Sequence, residues 1–144
     1  MTTLYEPKNS SKIILVNPKK EILLYLRDKN SKIVYAGYWD LFGGLIEKGE
    51  SAMEAIKREV REELNIIVNQ IEFMEKINVV GDPNNFWHGH NVSLFKGKVD
   101  SEIGKIVLSE GQRARYFKLD DLHKLKFPFF YREFIFKNKD KLYN

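Results

Sequence analysis

Cysteine is absent from the 144 residues, and that single absence excludes disulfides, thiolate metal ligands and a cysteine nucleophile. It fits a reducing compartment. Also missing is any apolar run near the roughly 20 residues that a membrane-spanning helix needs. The opening MTTLYEPKNSSK has no apolar core of the kind a secretory signal carries, so cytoplasmic residence is the expectation. No repeat and no low-complexity segment occurs. A strong charge of one sign is lacking too, since the net charge is only +4. Lys and Arg are spread along the chain while acidic residues gather in one stretch, which suits a free anionic ligand better than a nucleic-acid duplex. One domain over residues 1–144 is expected, large enough to bury about two thirds of its unfolded surface.

What is present alternates between strand-like and helix-like segments. Ile13 to Val16 and Glu21 to Leu26 are β-rich and separated by Asn17-Pro18-Lys19-Lys20, a turn sequence. Tyr38 to Phe42 reads as a short strand running into a permissive turn at Gly43-Gly44. Ser51 followed by Glu54 forms a capping box, so Ser51 is the expected N-cap of a helix. Met53, Ile56, Val60 and Leu64 repeat at helical spacing and predict its buried stripe, with Glu59, Glu62 and Glu63 on the exposed side. Asn65 stands where a left-handed cap is expected. Ile66 to Val80, Asn91 to Val99 and Arg113 to Lys118 read as strands, and Leu119 to Leu125 as a short helix. Pro128 can open a last helix with Phe129, Phe130, Phe134 and Ile135 buried. This order predicts an α+β or layered α/β/α domain.

The chemistry concentrates in residues 44 to 66, GLIEKGESAMEAIKREVREELNI. Three glutamates three and four positions apart crowd like charges on a helix, an arrangement that makes sense around a cation. Carboxylate oxygens are hard ligands, suited to Mg²⁺ or Mn²⁺ rather than zinc, and Mg²⁺ is commonly completed by substrate phosphates. Hydrolysis of a phosphoanhydride is the natural reaction of such a site. A salt bridge from Arg58 to Glu50 would hold the loop Gly44 to Glu50 against the helix. The glycines let backbone approach a metal or phosphate, and a free carbonyl there can serve as a ligand. An Arg- and Glu-rich helix can also be no more than a solvated, salt-bridged face. The glycine pair, Glu50 and the preceding aromatic strand argue against that reading.

The run resembles the box of the Nudix hydrolases, G-x5-E-x7-R-E-U-x-E-E-x-G-U, where U is aliphatic. Gly44, Glu50, Arg58, Glu59, Val60, Glu62, Glu63 and Ile66 match with both spacers of the right length, and only Asn65 departs. The preceding YWDLFGG is similar to the tryptophan-containing strand that leads into the box, with Phe42 where many members carry proline. The resemblance implies an α/β/α sandwich around a mixed sheet. It implies Glu59 and Glu63 as principal metal ligands, Glu62 as a further ligand and the Gly44 carbonyl as another contact. Family members draw their general base from the box or from a later loop, so Glu62 and Glu110 are the candidates here.

The reaction expected is Mg²⁺-dependent hydrolysis, with Mn²⁺ as a substitute, of the diphosphate linkage in a nucleoside diphosphate attached to another group. A nucleoside triphosphate pyrophosphohydrolase leads. Nucleotide sugars, ADP-ribose, dinucleoside polyphosphates and an RNA 5′ end stay open, because loops outside the box read the substrate. Tyr38, Phe86, Trp87 and His88 are candidates for substrate binding; aromatic rings there can stack on a base. A zinc site at His88 and His90 lacks further ligands nearby. The expected partner is a small nucleotide, with no membrane, and a homodimer stays open. Two other readings are a non-catalytic nucleotide-sensing or RNA-binding relative of the family and a small interaction protein with an acidic helix.

Overall fold

The computed structural model describes residues 8–30, 35–80, 89–101, 106, 108 and 113–143. Its centre is β1 (Asn9–Val16), which makes strand pairs along both edges. The hairpin to β2 (Ile22–Leu26) is closed by Asn17, whose Oδ1 accepts from the N–H groups of Lys19 at 3.1 Å and Glu21 at 2.8 Å. Such side-chain capture of nearby backbone is what makes Asn-Pro a turn. β6 (Asn91–Lys98) runs parallel to β1 along its whole length, and β5 (Asn69–Asn78) pairs antiparallel to β6 at the far side. β3 (Trp39–Asp40) and β7 (Arg113–Phe117) both pair antiparallel to β2. β4 (Phe42–Leu45) instead pairs antiparallel to the first half of β1. The sheet is therefore mixed.

Alternation along β1 sorts two cores. Ile13 and Leu15 pack with Ile56, Val60 and Leu64 of the helix α1 (Ala52–Glu63). Ile14 and Val16 face the other way, onto Phe130, Tyr131, Phe134 and Ile135 of α2 (Phe129–Lys137) and Leu142 of α3 (Lys139–Leu142). Fully burying one such side chain stabilises by about 1.5 to 3 kcal/mol, so the two faces hold helices on opposite sides of the sheet. This is the expected α/β/α layering. A 3-10 helix (Leu119–Lys124) precedes α2, and Arg132 ties it down by donating to the carbonyls of Leu122 at 3.1 Å and Leu125 at 2.9 Å. Pro128 is the N-cap of α2, and Phe129 is half-buried rather than part of its buried face.

Three expectations about the middle of the chain are corrected. Gly43-Gly44 is no turn: both residues lie in β4, opposite Lys12 and Ser11 of β1. The reach from Tyr38 to Phe42 is split, because the chain leaves β2 after Asp40 and joins β1 at Phe42. Asn65 is not left-handed, since among the described non-glycine residues only Lys20, Tyr35 and Gln70 have positive φ. The helix stops because Leu64 turns extended at φ −127° and ψ 145°, is buried, and bridges to Leu108. Tertiary pairing ends α1, and no special backbone residue is needed.

Candidate active site

Leu45, Glu47, Glu50, Glu59 and Glu62 are gathered by one arginine on α1. The Ser51 capping box forms in full, with Ser51 Oγ accepting from Glu54 N–H and the Glu54 carboxylate accepting from Ser51 N–H. That start sets the rotation of the helix, which places Arg58 under the β4 to α1 loop. Arg58 Nε donates to Glu50 Oε2 at 2.7 Å and Nη2 donates to Glu50 Oε1 at 3.0 Å. Nη2 also donates to the Leu45 carbonyl at 3.1 Å. Two-pronged, charge-assisted bonds of this kind are the strong ones, and they fix orientation as well as distance. Glu50 Oε1 further accepts from the Glu47 N–H at 2.8 Å. Arg58, then the Glu47 N–H, hold the Glu50 carboxyl below its ordinary value of 4.5. Glu50 in turn, followed by Glu59, keeps the Arg58 guanidinium above its ordinary range.

The remaining Arg58 nitrogen reaches the carboxylates. Nη1 donates to Glu59 Oε1 at 3.0 Å and to Glu62 Oε2 at 3.2 Å. The three glutamates are not alike. Glu63 is buried at 4% exposure, the Glu59 side chain is 15% exposed and that of Glu62 is 58% exposed. The expectation that all three lie on the exposed side is therefore wrong for Glu63. Counting from Ile56, positions 60 and 63 continue the inward stripe, so a carboxylate at position 63 was itself a sign of burial. Glu59 lies one turn before Glu63 at the margin of that stripe.

Gly44 meets this margin from the sheet side. A Cβ built on Gly44 would stand 2.6 Å from Glu59 Oε1 and 2.9 Å from its Cδ, so only glycine leaves room for the Glu59 carboxylate beside the strand. The cradle thus holds hard oxygen donors against a bare backbone, a donor set that suits Mg²⁺ or Mn²⁺. Among the described residues, no three His, Asp or Glu side chains stand close enough to hold an ion by themselves. Glu47, Glu50, Glu59 and Glu62 cluster on Arg58, and a cation would need backbone, water or substrate oxygen to complete its shell.

Behind β4 lies a group that sequence reasoning missed. Lys12 is 2% exposed, and its ammonium donates to Asp40 Oδ2 at 3.3 Å, to the Leu41 carbonyl at 3.1 Å and to the Gly43 carbonyl at 3.4 Å. Arg27 Nη1 also donates to Asp40 Oδ2, at 3.1 Å, and to the Tyr25 hydroxyl at 3.3 Å. Burial pulls the Arg27 value down, but Asp40 and then Tyr25 outweigh it and the net direction is upward. The partners are far apart in sequence, so no local pattern points to them. The one available signal was a charged residue directly before the apolar run Ile13 to Val16 of β1.

Of the other candidates, Tyr38 is half-buried and stacks edge-on against Tyr35 at 5.0 Å, on the α2 side of the sheet. Its place is with packing and not beside the carboxylates. Phe86, Trp87, His88 and Glu110 lie outside the described residues. A cavity of about 620 Å³ opens between Val16, Pro18, Gln70, Val99 and Tyr143. It sits at the end of β1 away from the box, so the cavity and the carboxylates lie in different places, and the carboxylates are the candidate site.

Comparison with known proteins shows the family and the fold. The family model described as NUDIX domain matches residues 7–137. An NAD-capped RNA hydrolase NudC of Pseudomonas syringae pv. tomato is 28% identical over 122 residues, covering 85% of this chain and 40% of that protein. An ADP-ribose pyrophosphatase of Methanocaldococcus jannaschii is 28% identical over 142 residues, covering 86% of this chain and 82% of that protein. The crystal structure of a MutT protein from Methanosarcina mazei superposes with a TM-score of 0.77 at 24% identity, over 97% of this chain and 98% of the other, which shows a shared fold. The chain spans about 40% of the length of the first of these curated relatives.

Proposed function

The chain belongs to the NUDIX family, and from that premise we propose that it hydrolyses the diphosphate linkage of a nucleoside diphosphate joined to a second group. The observation that supports this most is the Gly44 backbone held open against the Glu59 carboxylate, with Arg58 and Glu50 locking the loop between them. Glu59, Glu63 and the Gly44 carbonyl are the proposed ligands of Mg²⁺, for which Mn²⁺ can substitute, and Glu62 is a further one. When bound, such an ion neutralises phosphate charge and lowers the pKa of a water.

The protein's own part is positioning. Glu63 presents a carboxylate sheltered from water, the setting in which attraction to a cation is strongest. Arg58 fixes Glu59 and Glu62 beside one another, since one of its nitrogens donates to both carboxylates. Glu62 is exposed, so a proton accepted there passes readily to bulk water, which suits it as general base. Glu110 is the second candidate for that role.

A nucleoside triphosphate is the substrate that the sequence reading puts first. ADP-ribose is favoured by a separate observation, the match to the Methanocaldococcus jannaschii pyrophosphatase over 82% of that protein. Incubation with nucleoside triphosphates, ADP-ribose, NAD, nucleotide sugars and dinucleoside polyphosphates, with product chromatography, decides between them. A nucleoside monophosphate is the expected product, formed with Mg²⁺ or Mn²⁺ and not with EDTA. Failure to cleave any of these, or cleavage indifferent to EDTA, would overturn the proposal.

A further inference from the structure

Lys12 stands where the chain changes partner strands. Asp40 is the last residue paired to β2, Phe42 is the first paired to β1, and Leu41 bridges the two. A strand that switches partners leaves carbonyls at the crossing without a regular ladder bond, and buried carbonyls need donors. The Lys12 ammonium supplies them, donating to Leu41 O, Gly43 O and Asp40 Oδ2 from a fully sheltered position. Asp40 is itself fixed from both ends, since its Oδ1 accepts from the Leu41 N–H at 2.7 Å while Oδ2 takes Lys12 and Arg27.

The Gly43 carbonyl belongs to the peptide that joins Gly43 to Gly44. Holding that oxygen fixes the plane of the peptide, and so the direction in which Gly44 meets Glu59. Gly43 has φ +133° and its Cα lies so close to β1 that a Cβ would stand 2.0 Å from Ser11 O, which shows how tightly this peptide is pressed against the strand carrying Lys12.

We propose that Lys12 is a positioning residue for the metal-binding backbone: its ammonium clamps the Asp40 to Gly43 crossover and thereby sets the Gly44 edge of the site. The proposal rests on the reading of Gly44 and Glu59 as a metal cradle. A merely structural buried ion pair would hold the fold together without tuning that edge.

The test is Mn²⁺ binding, followed by electron paramagnetic resonance, together with amide exchange of Gly44 by nuclear magnetic resonance, in the full chain. Lys12→Met is expected to weaken Mn²⁺ binding about 10-fold or more, within the range that orienting residues behind metal ligands show. Its Gly44 amide is expected to exchange faster, and Lys12→Arg, which keeps charge and donors, to recover much of both. If Lys12→Met does not fold, Lys12→Gln and Lys12→Arg are read against each other, with the arginine variant expected to bind Mn²⁺ more tightly. Where substrate turnover is found, kcat should fall while KM for the nucleotide stays within about 3-fold, because nucleotide contacts are untouched. Wild-type Mn²⁺ affinity and unchanged Gly44 exchange in a folded Lys12→Met protein would overturn the proposal. Metal binding without any phosphoanhydride cleavage would instead count against the proposed reaction and leave the clamp standing.

Discussion

Gly43 and Gly44 are adjacent, yet the atoms around them differ in kind, and substitutions there should separate stability from activity. A Cβ on Gly43 would press into the Ser11 carbonyl from a backbone with φ +133°, and neither can yield cheaply. Gly43→Ala should lose about 1 to 3 kcal/mol from backbone strain alone, read as a lower denaturant midpoint. A Cβ on Gly44 would meet only the end of the Glu59 side chain, which can swing away. Gly44→Ala should keep its midpoint within about 0.5 kcal/mol, as substitutions with room to relax do, while Mg²⁺-dependent activity collapses. The sequence showed a glycine pair and suggested close approach; it could not show that one glycine faces backbone and the other a carboxylate. Arg58 and Glu50 were legible as a pair because the spacing of eight joins loop to helix, and the two-pronged bond was found. Glu50→Gln should lower metal affinity about 10- to 100-fold, as loss of a group that orients metal ligands does, measurable by Mn²⁺ titration. The same bond gives a pH signature. The folded Glu50 value lies below 4.5, so its stabilising contribution is complete above 4.5 and is lost as pH falls through the lowered folded value. The stability gap between wild type and Glu50→Gln should be constant near neutrality and shrink below pH 4.5.

Helix α1 starts and ends where the sequence places it, but its end has a different cause from the expected left-handed Asn65. Its capping box is local, two residues three apart bonding each other's backbone, so sequence specifies it fully. Ser51→Ala should destabilise by about 1 kcal/mol in a thermal melt. Its end is set by Leu64 leaving for a bridge to Leu108, which no local pattern encodes. Asn65 therefore has no left-handed task. Asn65→Gly, which would restore the family pattern, should raise neither melting temperature nor turnover, and a gain in either would mean that Leu64 does not carry the termination. Strand β5 gives the same lesson. Register shifts at Asn69/Glu72 and Phe73/Glu75 break its alternation, and Phe73 ends 55% exposed.

The layering of the molecule follows from alternation in β1, where odd residues face α1 and even residues face α2. That was visible as an order of elements, because apolar periodicity reports each face. What sequence could not show was how β3 and β4 divide between β2 and β1, since that depends on pairings between strands distant in the chain, such as Tyr25 with Asp40 and Ile13 with Phe42. The buried Lys12, Asp40 and Arg27 group belongs to this long-range layer and stayed hidden with it. The two cores also make stability and chemistry separable. Phe134→Ala, on the face opposite α1, should cost about 3 to 5 kcal/mol of stability while the surviving folded protein binds Mn²⁺ normally. The sharpest measurement for the whole reading is the Mg²⁺ dependence of phosphoanhydride cleavage in Glu59→Gln and Glu63→Gln beside the wild type. If these carboxylates hold the ion against Gly44, both variants lose at least about 100-fold in turnover while staying folded. Retention of wild-type, Mg²⁺-dependent turnover by both variants would contradict it.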